Sequence, residues 1–225
     1  MSKFKVLCLH GYTQNAKKFH DRTGPFRRAL KNQLDFTYMT APIQATEFQS
    51  DEPTDDGPSA AWWNRKDGKV WQEMQQSMRA IHQTMKEEGP FDAIVGFSQG
   101  SGMAAVLLAL MQIAKSPRLA DMDADVQALA GELGDQPVPK FVMLFAGFYP
   151  DLPQFRQIIA VEKLTTPSIH VVGENDHIVP MDRGKQLAEE AFADAVVKTH
   201  EGGHFMPSNA AWRKQYQAFL EVLGQ

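Results

Sequence analysis

Two hydrophobic periods alternate along this chain. Short runs dense in β-branched and aromatic residues span Phe4 to His10, Phe36 to Thr40, Phe91 to Phe97, Phe141 to Gly147, Ser168 to Gly173 and Ala195 to His200. Their length and composition predict strands, and most are apolar throughout, as strands covered on both faces are. Between them, apolar residues recur at helical spacing over about Ala16 to Leu34, Val70 to Glu88, Ser98 to Lys115, Gln154 to Val161, Met181 to Ala193 and Asn209 to Leu223. The segment from Ser98 sets Met103, Val106, Leu107, Leu110 and Ala114 on one helical face. Gly89-Pro90 stops the one before it. Strands alternating with helices predict a mostly parallel sheet of about six strands with helices on both faces. No repeat or linker interrupts the pattern, so a single α/β domain over residues 1–225 is expected.

Two stretches depart from the alternation. Ile43 to Gly68 carries turn signals at Pro53, Asp55-Asp56-Gly57-Pro58 and Asp67-Gly68, which predict a long irregular segment of the sort that often serves function. Ser116 to Pro139 reads as an acidic insertion punctuated by Gly and Pro, with no role assigned by its sequence. Phe148 to Pro167 has room for only a short helix, so no large lid domain is expected there.

Composition narrows the function classes. With 225 residues, 43% of them hydrophobic, the chain can bury one substantial core. A net charge of −4 and the lack of a basic run argue against nucleic acid as a partner. The one cysteine, Cys8, cannot form an internal disulfide, and its place in an apolar strand predicts a core thiol rather than a nucleophile. The N-terminus has no signal-peptide pattern, and no apolar stretch approaches the roughly 20 residues of a membrane span. A cytoplasmic protein is expected.

Candidate chemistry begins at Gly96-Phe97-Ser98-Gln99-Gly100, a G-x-S-x-G pattern entered by an apolar strand and left by a helix with small residues. That setting is the nucleophile elbow of α/β-hydrolases, in which a tight strand-to-helix turn lifts the serine hydroxyl above the sheet edge. The glycines make room for the turn, and the helix N-terminus favours negative charge beside Ser98. A second loop, His10-Gly11-Tyr12, follows the first strand. The backbone N–H groups of Gln99 and Tyr12 are therefore the expected oxyanion-hole donors. The glycine spacing fits neither a dinucleotide fingerprint nor a P-loop.

In this fold the acid and then the histidine follow the serine in sequence. His170 lies within a strand, His200 ends one and His177 lies in the loop expected to hold the acid, whereas His204, in Gly202-Gly203-His204-Phe205, falls in a flexible turn past the last strand. That makes His204 the expected general base. His200-Glu201-Gly202-Gly203-His204 also reads literally as H-E-x-x-H, but zinc chemistry needs both histidines on one helix face, and two adjacent glycines oppose a helix by about 1 kcal/mol each. No metal or other cofactor is expected. The acid belongs in the loop after Ser168 to Gly173, where Glu174 and Asp176 are both available and spacing does not separate them.

His10-Gly11-Tyr12, Ala61-Trp62-Trp63-Asn64, Gly96-Phe97-Ser98-Gln99-Gly100, the Asp176 loop and Gly203-His204 together resemble the FSH-type serine hydrolases, over nearly the whole chain. The resemblance implies a cofactor-free carboxylic ester or thioester hydrolase and selects Asp176 as the third triad member with Ser98 and His204. Acyl-protein thioesterases share a similar elbow and stay a close alternative. A non-catalytic scaffold acting as a binding module is the rival of another class; a missing triad member would favour it, but all three are present in the sequence. Trp62, Trp63, Phe148, Tyr149, Ile178, Phe205 and Met206 fall on loops at the expected carboxyl edge of the sheet, so they are candidates for an apolar acyl groove. The implied partner is a small ester or thioester.

Overall fold

The computed structural model describes residues 3–46, 57–65 and 68–223. Its main sheet is six-stranded and parallel: β1 (Phe4–Leu9), β2 (Leu34–Met39), β5 (Ala93–Phe97), β6 (Phe141–Phe145), β7 (Ser168–Gly173) and β8 (Ala195–His200), in the order β2-β1-β5-β6-β7-β8. The central strands β5, β6 and β7 are buried at every residue, as their unbroken apolar runs predict. Alternate residues of β1 serve opposite cores. Leu7 and Leu9 join one cluster, and Val6 and Cys8 join the other with Phe26, Phe145 and Tyr216. The first cluster is closed by α3 (Val70–Glu88), α4 (Gln99–Ile113), α6 (Pro153–Val161) and α7 (Met181–Ala191), the second by α1 (Ala16–Arg22), α2 (Gly24–Leu30) and α8 (Ala210–Leu223).

The chain runs from β1 outward to β2, then crosses to the other side of β1 for β5 and continues outward through β8. The loops leaving β1 and β5 therefore part, opening a crevice at the carboxyl edge where open α/β sheets bind ligands. Register puts Leu9 beside Gly96, Phe97 beside Phe145 and Gly173 beside His200, so the loops that follow start near one level.

Four expectations need correction. The helix expected over 16–34 is two helices, because the pyrrolidine of Pro25 supplies no N–H and the chain restarts at Thr23 with proline in the first turn of α2. The second strand starts at Leu34 rather than Phe36. The irregular stretch from Ile43 contains a small antiparallel pair, β3 (Ile43–Gln44) and β4 (Ala60–Ala61), while its residues 47–56 and 66–67, with Pro53, Asp55-Asp56 and Asp67, lie outside the described residues. Within the acidic insertion, Pro117–Asp121 is a 3₁₀ turn and α5 (Ala124–Leu133) is a helix that buries Val126, Leu129, Ala130 and Leu133 in the first core. Every residue of α4 except Gln112 is buried, and such a helix, apolar all round, needs cover on its outer side. Helix α5 supplies it, tied to α3 by an Arg79–Glu132 pair and, just past its end, by Lys86–Asp135 and His82–Asp135 pairs. The insertion is a layer of the core. No helix among the described residues is long and apolar enough to cross a membrane.

Candidate active site

Ser98 joins β5 to α4 with φ 51° and ψ −115°, in the left-handed region that β-carbon-bearing residues avoid. Holding it there costs on the order of 1–3 kcal/mol, offset by packing that leaves the backbone no other course. A β-carbon on Gly96 would lie 2.7 Å from Cα of Ser101, and one on Gly100 would overlap the Leu9 carbonyl. Both glycines of the pattern are there because neighbouring backbone occupies the space. The Ser98 N–H donates to the Phe145 carbonyl at 2.8 Å, pinning the turn to β6.

The loop after β7 carries Asp176, whose side chain is fully buried. Its Oδ1 accepts the N–H groups of Ile178 and Val179, each at 2.9 Å, and its Oδ2 accepts Nδ1–H of His204 at 2.7 Å. Two amides fix the carboxylate, and the carboxylate fixes the imidazole. With Nδ1 engaged, Nε2 is the nitrogen left to exchange a proton. Glu174 is exposed, and its side chain makes no hydrogen bond among the described residues. The imidazole of His204 stacks obliquely on Phe97, ring centroids 4.9 Å apart, so it lies beside the residue that precedes Ser98. No hydrogen bond joins Ser98 to His204 among the described residues; such contacts tighten in substrate complexes.

The β1 loop is held from three sides. His10 donates from Nδ1 to the Gly11 carbonyl at 2.7 Å and accepts the Ala41 N–H on Nε2 at 3.0 Å, so its tautomer is settled. Burial lowers its pKa to about 4 and keeps the ring neutral. The Gly11 carbonyl and the Tyr12 N–H share one planar peptide and point in opposite directions, so the His10 bond aims the Tyr12 amide. The Trp62 indole donates to the His10 carbonyl at 2.8 Å, and the Tyr12 hydroxyl donates to Asn64 Oδ1 at 3.0 Å. Gln99 completes the brace: its side chain accepts from Trp62 N–H at 2.9 Å and donates to the Trp63 carbonyl at 2.7 Å.

Ser98, Tyr12 and Gln99 line one cavity of about 250 Å³ with Arg65, Phe148, Ile178 and Val179. His204 lines a second, of about 300 Å³, with Phe97, Phe205 and Met206. Ile178, 70% exposed, and Phe205, 49% exposed, are open apolar lips of these two cavities. Three groove candidates are placed elsewhere. Trp62 is fully buried beneath the β1 loop, Tyr149 packs on Phe155 in the core, and Trp63 lines an adjoining depression rather than the Ser98 cavity. The other histidines after Ser98 differ from His204. His170 is buried beside Ser168 with its pKa lowered to about 3 by desolvation. Residues 200–204 run from a strand end into bends, so His200 and His204 do not share a helix face. Burial also pushes the Cys8 thiol far up, as befits a core residue.

A family model described as serine hydrolase (FSH1) matches residues 1–216. The chain belongs to the FSH1 serine hydrolase family. Esterase OVCA2 of Homo sapiens is 30% identical over 239 residues, covering 98% of this chain and 97% of that protein. SOBER1 of Arabidopsis thaliana has the same fold at 15% identity, with a TM-score of 0.63 and full coverage of both chains. Acyl-protein thioesterase 2 of Zea mays has a TM-score of 0.60 at 17% identity, over 98% of this chain and 95% of that one. The α/β-hydrolase fold and membership of an esterase-containing serine hydrolase family are therefore established for the chain. The parts of this candidate site that sequence reasoning missed are the braces. His10 and Gln99 were visible as motif residues, but the tautomer of one and the side-chain role of the other needed coordinates.

Proposed function

We propose that this protein hydrolyses carboxylic esters or thioesters of apolar acyl groups through a Ser98–His204–Asp176 triad. The observation that carries the reading is the 2.7 Å bond from His204 Nδ1–H to a buried Asp176 carboxylate, with the His204 ring against Phe97, the residue before the strained Ser98. His204 Nε2 takes the Ser98 proton as Oγ attacks the acyl carbon, and Asp176 stabilises the imidazolium that results. The Gln99 and Tyr12 amides hold the oxyanion, a contribution of about 2.7–4 kcal/mol per donor in such sites. His204 then passes its proton to the departing alcohol or thiol, and water repeats the sequence on the acyl-enzyme.

Directionality follows from this chemistry. The leaving group departs on the imidazole side, toward the cavity of His204, Phe205 and Met206, and the acyl chain lies on the side of the oxyanion donors. Phe148, Ile178 and Val179 offer that chain apolar contact. A fluorophosphonate probe tests the reading: stoichiometric labelling of Ser98, unaffected by chelators and abolished in Ser98→Ala, is expected. Turnover of p-nitrophenyl esters with no adduct on Ser98 would overturn it.

A further inference from the structure

The acyl-side cavity is not purely apolar. Arg65 lines it beside Ser98, and the Arg65 guanidinium lies 5.6 Å from the centroid of the Phe148 ring. A second guanidinium, that of Arg183, lies over the same ring at 5.5 Å, and both arginines line the depression that adjoins the cavity at Phe148. Three other arginines are paired with carboxylates, Arg79 with Glu132, Arg118 with Asp121 and Arg156 with Asp151. Arg65 and Arg183 form no ion pair among the described residues, and Asp151, the carboxylate lining the same depression, is engaged by Arg156 at 2.6 Å. Two guanidinium groups with no ion pair among the described residues thus share one aromatic platform at the mouth of the nucleophile cavity, in a protein of net charge −4.

The platform holds both planar forks ready while leaving their N–H groups available, since a guanidinium stacks through its face and hydrogen-bonds through its edge. Like charges gathered on one ring repel each other, and an arriving anion relieves that repulsion. A carboxylate matches the fork geometry. Resting on the acyl-transfer reading above, and refining its acyl group to an apolar stem with an anionic end, we propose that Arg65 and Arg183 form an anion subsite for the far end of the acyl chain, so that the preferred substrates are hemiesters or hemithioesters of short dicarboxylic acids. A cavity of about 250 Å³ equals roughly eight water volumes, room for a few methylenes between the scissile carbonyl and the distal carboxylate. The methylenes contact Phe148, Ile178 and Val179; the carboxylate ends at the arginines.

The test compares kcat/KM for the p-nitrophenyl monoester of glutaric acid with that for two neutral analogues, p-nitrophenyl pentanoate and p-nitrophenyl methyl glutarate. The anionic ester is expected to be favoured about tenfold or more, the worth of one charge-assisted contact. The preference should shrink at high salt. In the Arg65→Gln/Arg183→Gln double variant the ratio should fall toward one, mainly through KM, while Arg118→Gln, remote from the site, keeps it. Neutral esters turned over with equal or higher efficiency by the wild type, or a ratio that survives the double variant, would overturn the subsite and leave the triad standing. So would a preference that follows a phosphate on the leaving group, which Arg22 in the His204 cavity would read instead. If no ester is turned over and Ser98 is not labelled, the acyl-transfer reading fails. Calorimetric titration of glutarate then decides the subsite: binding lost in the double variant supports it, and binding absent or unchanged overturns it.

Discussion

The two ends of the candidate triad are built in opposite ways. Ser98 sits at the centre of the sheet, between β1 and β6, where backbone from Leu9, Ser101 and Phe145 crowds the turn and glycines exist because nothing larger fits. His204 and Asp176 sit on loops at the thinner side of the sheet, after β7 and the half-exposed edge strand β8, and are placed by hydrogen bonds. Packing is unforgiving and local; a hydrogen-bonded loop can be rebuilt around a changed partner. The nucleophile should therefore fail through backbone substitutions as well as through its own hydroxyl, whereas the acid–base end should fail chiefly through chemistry.

The largest effect is expected where the hydroxyl itself is removed. Ser98→Ala should lower kcat by about 10⁵-fold or more in an ester hydrolysis assay, leaving the residue of rate that binding and the oxyanion hole provide. Next comes the carboxylate that orients the base. Asp176→Asn should cost roughly 10⁴-fold, with near-normal thermal unfolding, because an amide favours the wrong imidazole tautomer. Glu174→Gln, on an exposed side chain two residues away, should stay close to wild type. If the two carboxylate variants behave the other way round, the hydrogen-bonded end has been assigned to the wrong acid.

Legibility in the sequence followed the same division. The elbow could be read because its requirements are local: an apolar strand, two glycines at fixed offsets and a small-residue helix start all fall within nine residues of Ser98. The place of His204 after the last strand could be read, but its bond to Asp176 could not. Asp176 could not be separated from Glu174 by spacing, since which carboxylate turns inward depends on amides of Ile178 and Val179 that only the folded loop presents. Trp62 and Tyr149 looked like groove residues because a loop aromatic in sequence carries no mark of which way it faces; both went into the core. Helix α5 was hidden by its acidic, glycine-bearing surroundings, although the all-round apolarity of α4 signals that something must cover it. The Arg65–Phe148–Arg183 cluster joins three distant segments and has no local signature at all.

Backbone crowding gives the third expected effect. Gly100→Ala drives a methyl group into the Leu9 and His10 carbonyls and should destabilise by about 3 kcal/mol or more in urea unfolding. Gly131→Ala in α5, where an added β-carbon meets nothing within 4 Å, should stabilise by up to about 1 kcal/mol. Equal tolerance at both positions would mean that the elbow is not held by packing.

Somewhat smaller is the contribution of the buried histidines. His10 and His170 have pKa values lowered by desolvation to about 4 and about 3. The unfolded chain, with histidines near 6.5, takes up these protons first, so the stabilisation is complete above about pH 6.5 and declines as pH falls toward 4. Urea midpoints should drop between about pH 7 and pH 4.5, and the drop should be smaller in His170→Leu. A pH-independent difference between wild type and that variant would show that His170 is not held neutral by its surroundings.

The smallest expected effect bears most directly on how the two ends differ. At φ 51° Ser98 carries strain that glycine would not, so Ser98→Gly should raise stability while abolishing turnover. Relief of on the order of 1–3 kcal/mol, less up to about 1 kcal/mol for the greater freedom of glycine in the unfolded chain, leaves a net gain of about 1 kcal/mol. Ser98→Ala keeps the β-carbon and the strain, so it should show no comparable gain. Substitutions at His204, whose position rests on a hydrogen bond rather than on a forced dihedral, should not stabilise in this way. Were Ser98→Gly less stable than Ser98→Ala by calorimetry, the turn would be relaxed as built, and the contrast between a packed nucleophile and a hydrogen-bonded base would lose its physical ground.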